Sequence, residues 1–298
     1  MLDWNTPKLS DKEWIEKCVK ESQYIGSDAA FANIYLLRSK YNIKVTYYKD
    51  LLIRYYEGLG NRKGYTFPLG RKDVLSALYA IEQDAKEMNR PLEFCFVTEE
   101  QKEILDNTFA GRTESSSDAG DYDYIYGQPE LSLLSGRTYH KKKNHVSKFK
   151  RTYEDYMFCE IGNGNLDDVM LIEDEWYYDR LQQDDTSAMK EYEAIREAVD
   201  NFEELSLSGG IIYANNVPVA MTIASYINDA AVDIHFEKAV GEYAVNGGFA
   251  AINQMYASTL KDVKYINREE DINIPGLRKA KESYHPKFML KKYGMRVK

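Results

Sequence analysis

Three ionisable side chains alternate along one short segment in the second half of the chain. Asp233, His235 and Glu237 stand two residues apart, with an apolar residue at each position between them. Because successive side chains of a strand point to opposite faces, the three groups are predicted to share one face. Flanking carboxylates raise the pKa of an imidazole, so His235 or Glu237 could accept the proton that an amine loses when it attacks an acyl carbonyl. An exposed sheet face would show the same alternation.

A basic segment, residues 137–151, is the second candidate, because its fifteen positions hold seven lysines and arginines and no acid. A helix here would bury Val146, Phe149 and Tyr153 on one face and gather polar side chains on the opposite face. Like charges three or four residues apart repel, and a bound anion would relieve that repulsion. A solvated charged face is the alternative. The residues predicted to bind an anion are Arg137, His140, Lys141, Lys143, Asn144, His145, Lys148 and Arg151.

Two further groups of residues could hold an anion. Asn267 and Arg268 end a predicted strand, and with Arg278 they could clamp a carboxylate or phosphate. A loop stabilised by local ion pairs would explain the same residues. The turn Asn246-Gly247-Gly248 precedes a predicted helix, whose unpaired N–H groups could bind a pyrophosphate or stabilise an oxyanion. A plain turn is the alternative.

Several well-known sequence motifs of catalytic and binding sites are absent from this sequence. There is no P-loop, no dinucleotide-binding glycine triplet, no nucleophile elbow and no metal-ligand spacing, so no metal is predicted. A DNA partner is not expected either, because the body of the protein is acidic.

The charge distribution supports an anionic ligand. The net charge is −9, yet residues 137–151 carry +7, and residues 278–298, with eight lysines and arginines and one glutamate, carry +7 again. The other 262 residues therefore carry −9 − 14 = −23. Two basic segments on an acidic body favour a phosphate, a coenzyme or a nucleic acid as ligand.

Composition and termini point to a cytoplasmic globular protein. An apolar content of 44% and a charged content of 29% exclude a disordered chain, and no apolar stretch reaches the length of a spanning helix. The N-terminus has no basic and apolar leader. The cysteines, Cys18, Cys95 and Cys159, are odd in number and far apart, which is typical of free thiols in a reducing compartment.

The chain of 298 residues is long enough for two domains. Residues 111–121 are rich in turn formers and are predicted to form a loop, which places a boundary near residue 130. The predicted domains are 1–130 and 131–298. Both show the same order of elements: helices, a three-stranded meander, a helix and a strand. In the second half the first helix is predicted over 131–151, and the meander over 209–214, 217–227 and 230–236.

This order resembles the GNAT acyltransferase fold, in which a turn like that at 246–248 holds the coenzyme A pyrophosphate. Residues 134–149 and 266–286 resemble an uncharacterised family related to the C-terminal domain of lysylphosphatidylglycerol synthetases. That family is similar to the Fem-type aminoacyltransferases. The resemblance implies an α+β fold of two tandem GNAT-like domains, each a mixed, mainly antiparallel sheet flanked by helices, with the active site and the basic helix in the second domain.

The resemblance also implies an activity. We expect transfer of an aminoacyl group from aminoacyl-tRNA, or of an acyl group from acyl-coenzyme A, to an amine or hydroxyl of an anionic acceptor, with the aminoacyl donor favoured. The basic helix would hold phosphates of the donor or acceptor. The alternative is a non-catalytic module of the same fold that binds an anionic metabolite.

Overall fold

A computed structural model describes residues 2–182 and 188–298 of the chain. They form two compact units. The first comprises Met1–Tyr124, Glu269–Lys279 and Phe288–Lys298, and the second comprises Ile125–Arg268 and Ala280–Lys287. After residue 268 the chain thus contributes two further segments to the first unit. Residues 125–130 belong to the second unit.

The elements are numbered in chain order. The strands are β1 (Lys44–Tyr48), β2 (Leu51–Glu57), β3 (Lys63–Thr66), β4 (Leu92–Val97), β5 (Thr113–Ser117), β6 (Asp123–Gly127), β7 (Met157–Glu160), β8 (Ser208–Ala214), β9 (Val217–Asn228), β10 (Ala231–Ala239), β11 (Tyr265–Asn267), β12 (Phe288–Leu290) and β13 (Tyr293–Val297). The helices are α1 (Lys12–Ser22), α2 (Phe31–Leu36), α3 (Val74–Glu87), α4 (Glu99–Thr108), α5 (Gln128–Leu133), α6 (His140–Thr152), α7 (Leu166–Leu181), α8 (Ala188–Asp200), α9 (Gly241–Val245), α10 (Gly248–Thr259) and α11 (Pro275–Glu282).

The sheet of the first unit has six strands in the order β1-β2-β3-β4-β13-β5. The first three form an antiparallel meander, and β4 returns parallel to β3 after the helix α3. The turn at Lys49 and Asp50 has positive φ at both residues, 50° and 65°, which is the geometry of a tight hairpin. The core of this unit packs α3 against the sheet through residues such as Leu78, Ile81 and Phe94.

Six strands of the second unit repeat this arrangement in the order β6-β11-β10-β9-β8-β7. Strands β8, β9 and β10 form the antiparallel meander, and β11 returns parallel to β10 after α10. Helices α6 and α10 cover one face, where Phe149 and Ile252 join the core. Each unit therefore contains the predicted meander, helix and parallel strand.

Two local predictions are wrong because distant or single-residue effects override the local pattern. Residues 113–117 lie in the predicted loop but form the edge strand β5, since the C-terminal β13 offers them an antiparallel partner. The helix predicted over 131–151 is interrupted, because Leu134 ends α5 with φ of 45° and Gly136 follows with φ of 87°. A short turn at Arg137–Tyr139 then leads into α6.

None of the helices in the described part of the chain combines the length and the apolar character that crossing a bilayer requires.

Candidate active site

A β-bulge in the middle of β10 determines where its three ionisable side chains point. Asp233 lies opposite Ser225 of β9, whereas Glu237 lies opposite Thr222. Four residues thus separate the pair on β10 but only three on β9, because the bulge adds His235 as an extra residue. Since Ser225 and Thr222 are an odd number of positions apart, Asp233 and Glu237 project to opposite faces. The prediction that the three groups share one face is wrong for Glu237.

On one face, His235 lies between a carboxylate and a hydroxyl. Its Nε2 is 2.8 Å from Oγ of Ser225, and its Nδ1 is 3.4 Å from Oδ2 of Asp233. The side chains of His235 and Asp233 are only 1% and 0% exposed. Asn267, also fully buried, is the register partner of Asp233 on the parallel strand β11. This arrangement can move a proton between the hydroxyl and the imidazole, with a carboxylate near enough to stabilise the charged ring.

On the other face, Glu237 is held by two donors. Arg268 donates from Nη2 to Oε1 at 2.7 Å, and Asn253 of α10 donates from Nδ2 to Oε2 at 3.0 Å. Burial lowers the pKa of a guanidinium, but the carboxylate of Glu237 and two nearby tyrosines outweigh it, so the pKa of Arg268 is raised. Glu237 is therefore paired with Arg268 and Asn253 on this face.

One residue of this ion pair and one residue of the basic helix contact the same aromatic ring. The guanidinium carbon of Arg268 lies 4.6 Å from the centre of the Tyr284 ring, and Nζ of Lys142 on α6 lies 3.7 Å from the same centre. Burial, followed by repulsion from Arg268, lowers the pKa of Lys142 to about 8, although Glu237 opposes the shift. The ionisable side chains of β10 and the basic helix α6 are thus connected through Arg268 and Tyr284 within the second unit.

The basic helix divides as predicted into an apolar and a polar face. Val146 and Phe149 are buried. The predicted anion-binding residues are all exposed: Arg137, His140, Lys141, Lys143, Asn144, His145, Lys148 and Arg151. A concavity of about 560 Å³ lies at the start of this segment, and its lining consists of Arg137, Thr138, His140, Lys141 and His285. The lining includes no acid. The structure therefore brings three of the predicted residues together and adds His285, while the other five lie outside the concavity.

Arg278 belongs to the first unit, whereas Arg268 belongs to the second. Its Nε donates to Oδ2 of Asp271 at 2.8 Å within the first unit, and Tyr124 donates to the same carboxylate oxygen at 2.7 Å. Asp271 is fully buried. A local ion pair, the alternative considered from the sequence, describes Arg278.

The glycine turn before α10 has a packing role. Gly247 has φ of 104°, and a Cβ atom there would come within 2.4 Å of the backbone oxygen of His145 on α6. Gly247 and Gly248 are buried, and Asn246 donates from Nδ2 to the hydroxyl of Tyr153 at 2.8 Å. The close approach of α6 thus explains the glycine at 247.

Three residues of these clusters were missed by sequence analysis: Ser225, Asn253 and Lys142. Ser225 and Asn253 sit in largely apolar segments and gain their partners only through strand register and helix packing. Lys142 lies in the basic run, but no sequence signal separates it from its exposed neighbour Lys143. The ring of Tyr284, which lies seventeen residues after the end of β11, gives the lysine its half-buried position.

Comparison with solved structures shows the same fold in several proteins. A conserved protein of unknown function from Bacteroides thetaiotaomicron is 30% identical, with 100% of each chain covered and a TM-score of 0.94. The L-PGS of Bacillus licheniformis is 15% identical over 96% of this chain and 92% of that chain, with a TM-score of 0.67. FemX is 8% identical over 100% of this chain and 98% of that chain, with a TM-score of 0.62. These likenesses show two tandem GNAT-like domains, in an acyltransferase-type fold.

No curated protein sequence matches the chain. The family model described as phosphatidylglycerol lysyltransferase, C-terminal, matches residues 20–296. With nearly the whole length matched, the chain belongs to the family of the phosphatidylglycerol lysyltransferase C-terminal domain.

Proposed function

We propose that this protein is an acyltransferase that moves an aminoacyl group from aminoacyl-tRNA to an amine or hydroxyl of an anionic acceptor. One observation carries the proposal: His235 lies within 2.8 Å of a hydroxyl and 3.4 Å of a carboxylate, on a bulged central strand. A nucleophile that attacks an acyl carbonyl must lose a proton, and an oriented imidazole can take it. The carboxylate of Asp233 then stabilises the imidazolium that forms.

The choice of donor rests on the family and on the glycine turn. The family takes its name from a lysyl transfer to phosphatidylglycerol, and FemX has the same fold. At this turn the backbone of α6 packs against the position that a side chain at Gly247 would occupy, and we count this close packing against acyl-coenzyme A as the donor. We also propose a cytoplasmic location, which an aminoacyl-tRNA donor requires and in which free thiols such as the three cysteines persist.

The acceptor's anionic group has a site of the right charge. Arg137, His140, Lys141 and His285 line the concavity beside α6, and each can donate hydrogen bonds to phosphate oxygens. These groups are exposed, so we expect the affinity to depend on salt.

The test combines binding with turnover. Thermal unfolding is measured with aminoacyl-tRNA, acyl-coenzyme A, vesicles of phosphatidylglycerol and phosphorylated cell-wall precursors, and a ligand at 100 times its Kd should stabilise by about 2.7 kcal/mol. Ligands that stabilise are then combined, with the acyl group radiolabelled. Label in the acceptor supports the acyltransferase. Tight binding of an anion with no transfer from any donor would instead identify a binding module.

A further inference from the structure

A buried carboxyl group in the second unit has no hydrogen-bond partner for either of its oxygens. Glu173 of α7 is 0% exposed, and within the described part of the chain neither Oε1 nor Oε2 makes a hydrogen bond. A buried carboxylate without partners is costly in its charged form, and protonation removes most of that cost. The position of Glu173 therefore suits a neutral carboxylic acid.

The cation that faces Glu173 already pairs with another carboxylate. Nζ of Lys238 on β10 donates to Oε1 of Glu191 on α8 at 2.8 Å, and it lies 2.9 Å from the centre of the Trp176 ring on α7. The Lys238 side chain is only 4% exposed. Its ammonium group thus attaches α8 to the central strand of the sheet.

The charges around this ammonium balance only while Glu173 is neutral. One ammonium then faces one carboxylate, whereas ionised Glu173 would place a second carboxylate beside Lys238. The other charged groups nearby do not compensate, because Asp174 repels Glu173 and Arg180 repels Lys238. Strand β9, which also packs against α7, has no acidic or basic side chain. Ionised Glu173 therefore competes with Glu191 for the same ammonium.

The direction of the pH dependence follows from burial. Burial raises the pKa of Glu173 to about 7, against the attraction of Lys238, and Glu191 and Asp174 raise it further. Burial also lowers the pKa of Lys238, against the attraction of Glu191 and Glu173. Since the pKa of Glu173 lies above its ordinary value of 4.5, its contribution to stability is complete below pH 4.5 and is lost as the pH rises to about 7.

We propose that Glu173, Lys238 and Glu191 form a pH-sensitive latch, which holds α8 on β10 while Glu173 is neutral and releases α8 when Glu173 ionises. The release admits water to the new carboxylate. A second contact keeps α8 on α7, since the rings of Tyr177 and Tyr192 stack with their centres 4.7 Å apart. The latch is therefore a local device and does not require the second unit to unfold.

The latch lies on the sheet face that carries His235. Lys238 is the register partner of Met221 on β9. Asp233 is the partner of Ser225, four residues further along β9, so the side chains of Lys238 and Asp233 project to the same face. His235 lies beside Asp233 with 1% of its side chain exposed, so access of a substrate to it needs movement of a covering element. Only this consequence rests on the proposed function; the latch itself does not.

Hydrogen–deuterium exchange of the full-length protein tests the latch without any ligand. Exchange is measured at about pH 5.5 and about pH 8.5, on either side of the pKa of Glu173, and is expressed as protection factors, which remove the intrinsic pH dependence. Peptides from α8 should lose protection by ~10²-fold at the higher pH, because opening then frees an ionised carboxylate from burial. Peptides from α10, in the same unit, should keep theirs. Unchanged protection of α8, or an equal loss in α8 and α10, would overturn the inference.

Glu173→Gln keeps the shape of the side chain but cannot ionise, so its α8 peptides should be equally protected at both pH values. Glu175→Gln is the matched control, because Glu175 is an exposed acid of the same helix, and it should follow wild type. A wild-type loss of protection in folded Glu173→Gln would also overturn the inference. If that variant does not fold, the comparison of α8 with α10 in wild type decides. No donor or acceptor is present, so either outcome leaves the test of acyl transfer unaffected.

Discussion

Nζ of Lys142 lies 3.7 Å from the centre of the Tyr284 ring, which also contacts the guanidinium of Arg268. Two cations therefore share one buried aromatic ring, and a single carboxylate, Glu237, pairs with Arg268. The neighbouring lysine on the same helix, Lys143, is exposed. This contrast makes Lys142 the member of the basic segment whose charge depends most on its surroundings.

The first prediction concerns the pH dependence of stability. The pKa of Lys142 falls from 10.5 to about 8 on folding, so between these pH values the unfolded chain binds more protons at this site. The free energy of unfolding therefore gains a contribution that rises with pH across this window. In Lys142→Met that rise is absent. Urea unfolding of both proteins at several pH values from 8 to 10.5 measures it.

Lys143→Met is the control and should follow the wild-type pH dependence, because its side chain is exposed. If both variants show the same pH dependence, Lys142 is not held in the half-buried position against the Tyr284 ring.

The second prediction concerns the concavity at the start of α6. Arg137→Ala and Lys141→Ala should each weaken the binding of inorganic pyrophosphate by about 1–3 kcal/mol, the scale of a charge-assisted hydrogen bond. Their stability should hold or rise, because one of several like charges is removed. Isothermal calorimetry at two salt concentrations measures both affinity and salt dependence.

Lys261→Ala removes an exposed lysine of the second unit that does not line the concavity, and it should bind pyrophosphate like wild type. A large loss of stability in Arg137→Ala or Lys141→Ala with unchanged affinity would mean that these charges are structural.

The third prediction concerns a buried ion cluster in the first unit. Nζ of Lys292 lies 2.7 Å from Oδ1 of Asp123 and 3.0 Å from Oδ1 of Asp28, and its side chain is 3% exposed. Removal of one partner leaves a buried carboxylate with less compensation. Lys292→Met should therefore lower the free energy of unfolding by about 3–5 kcal/mol. Denaturant unfolding measures it.

The adjacent Lys291 is exposed, so Lys291→Met should change stability by no more than about 0.5 kcal/mol. Equal effects of the two substitutions would contradict the burial of the Lys292 ammonium among carboxylates.

The sequence was most informative where local order repeats. The meander, helix and parallel strand follow from alternation and helical spacing. The edge strand at 113–117 could not be foreseen, because its partner β13 lies at the opposite end of the chain. A strand partner so distant along the chain cannot be predicted from the serine-rich segment itself, whose composition is typical of a loop.

The candidate site, too, could be predicted from the sequence only in part. His235 and Asp233 were identified by spacing, but spacing alone assumes an unbroken strand, and the bulge turned Glu237 to the other face. Ser225 was missed because cross-strand register, which the sequence does not display, sets it opposite Asp233. The basic segment was recognised as a whole, whereas the difference between Lys142 and Lys143 depends on the packing of Tyr284.

The measurement that tests the central claim most directly is the rate of acyl transfer in His235→Ala. The donor and acceptor are those that wild type uses, and the transfer is followed in a single turnover. Thermal unfolding should first show that the variant folds. We predict that transfer slows by ~10²–10⁴-fold, because the proton acceptor is lost. A folded His235→Ala protein that transfers the acyl group at the wild-type rate would contradict the account.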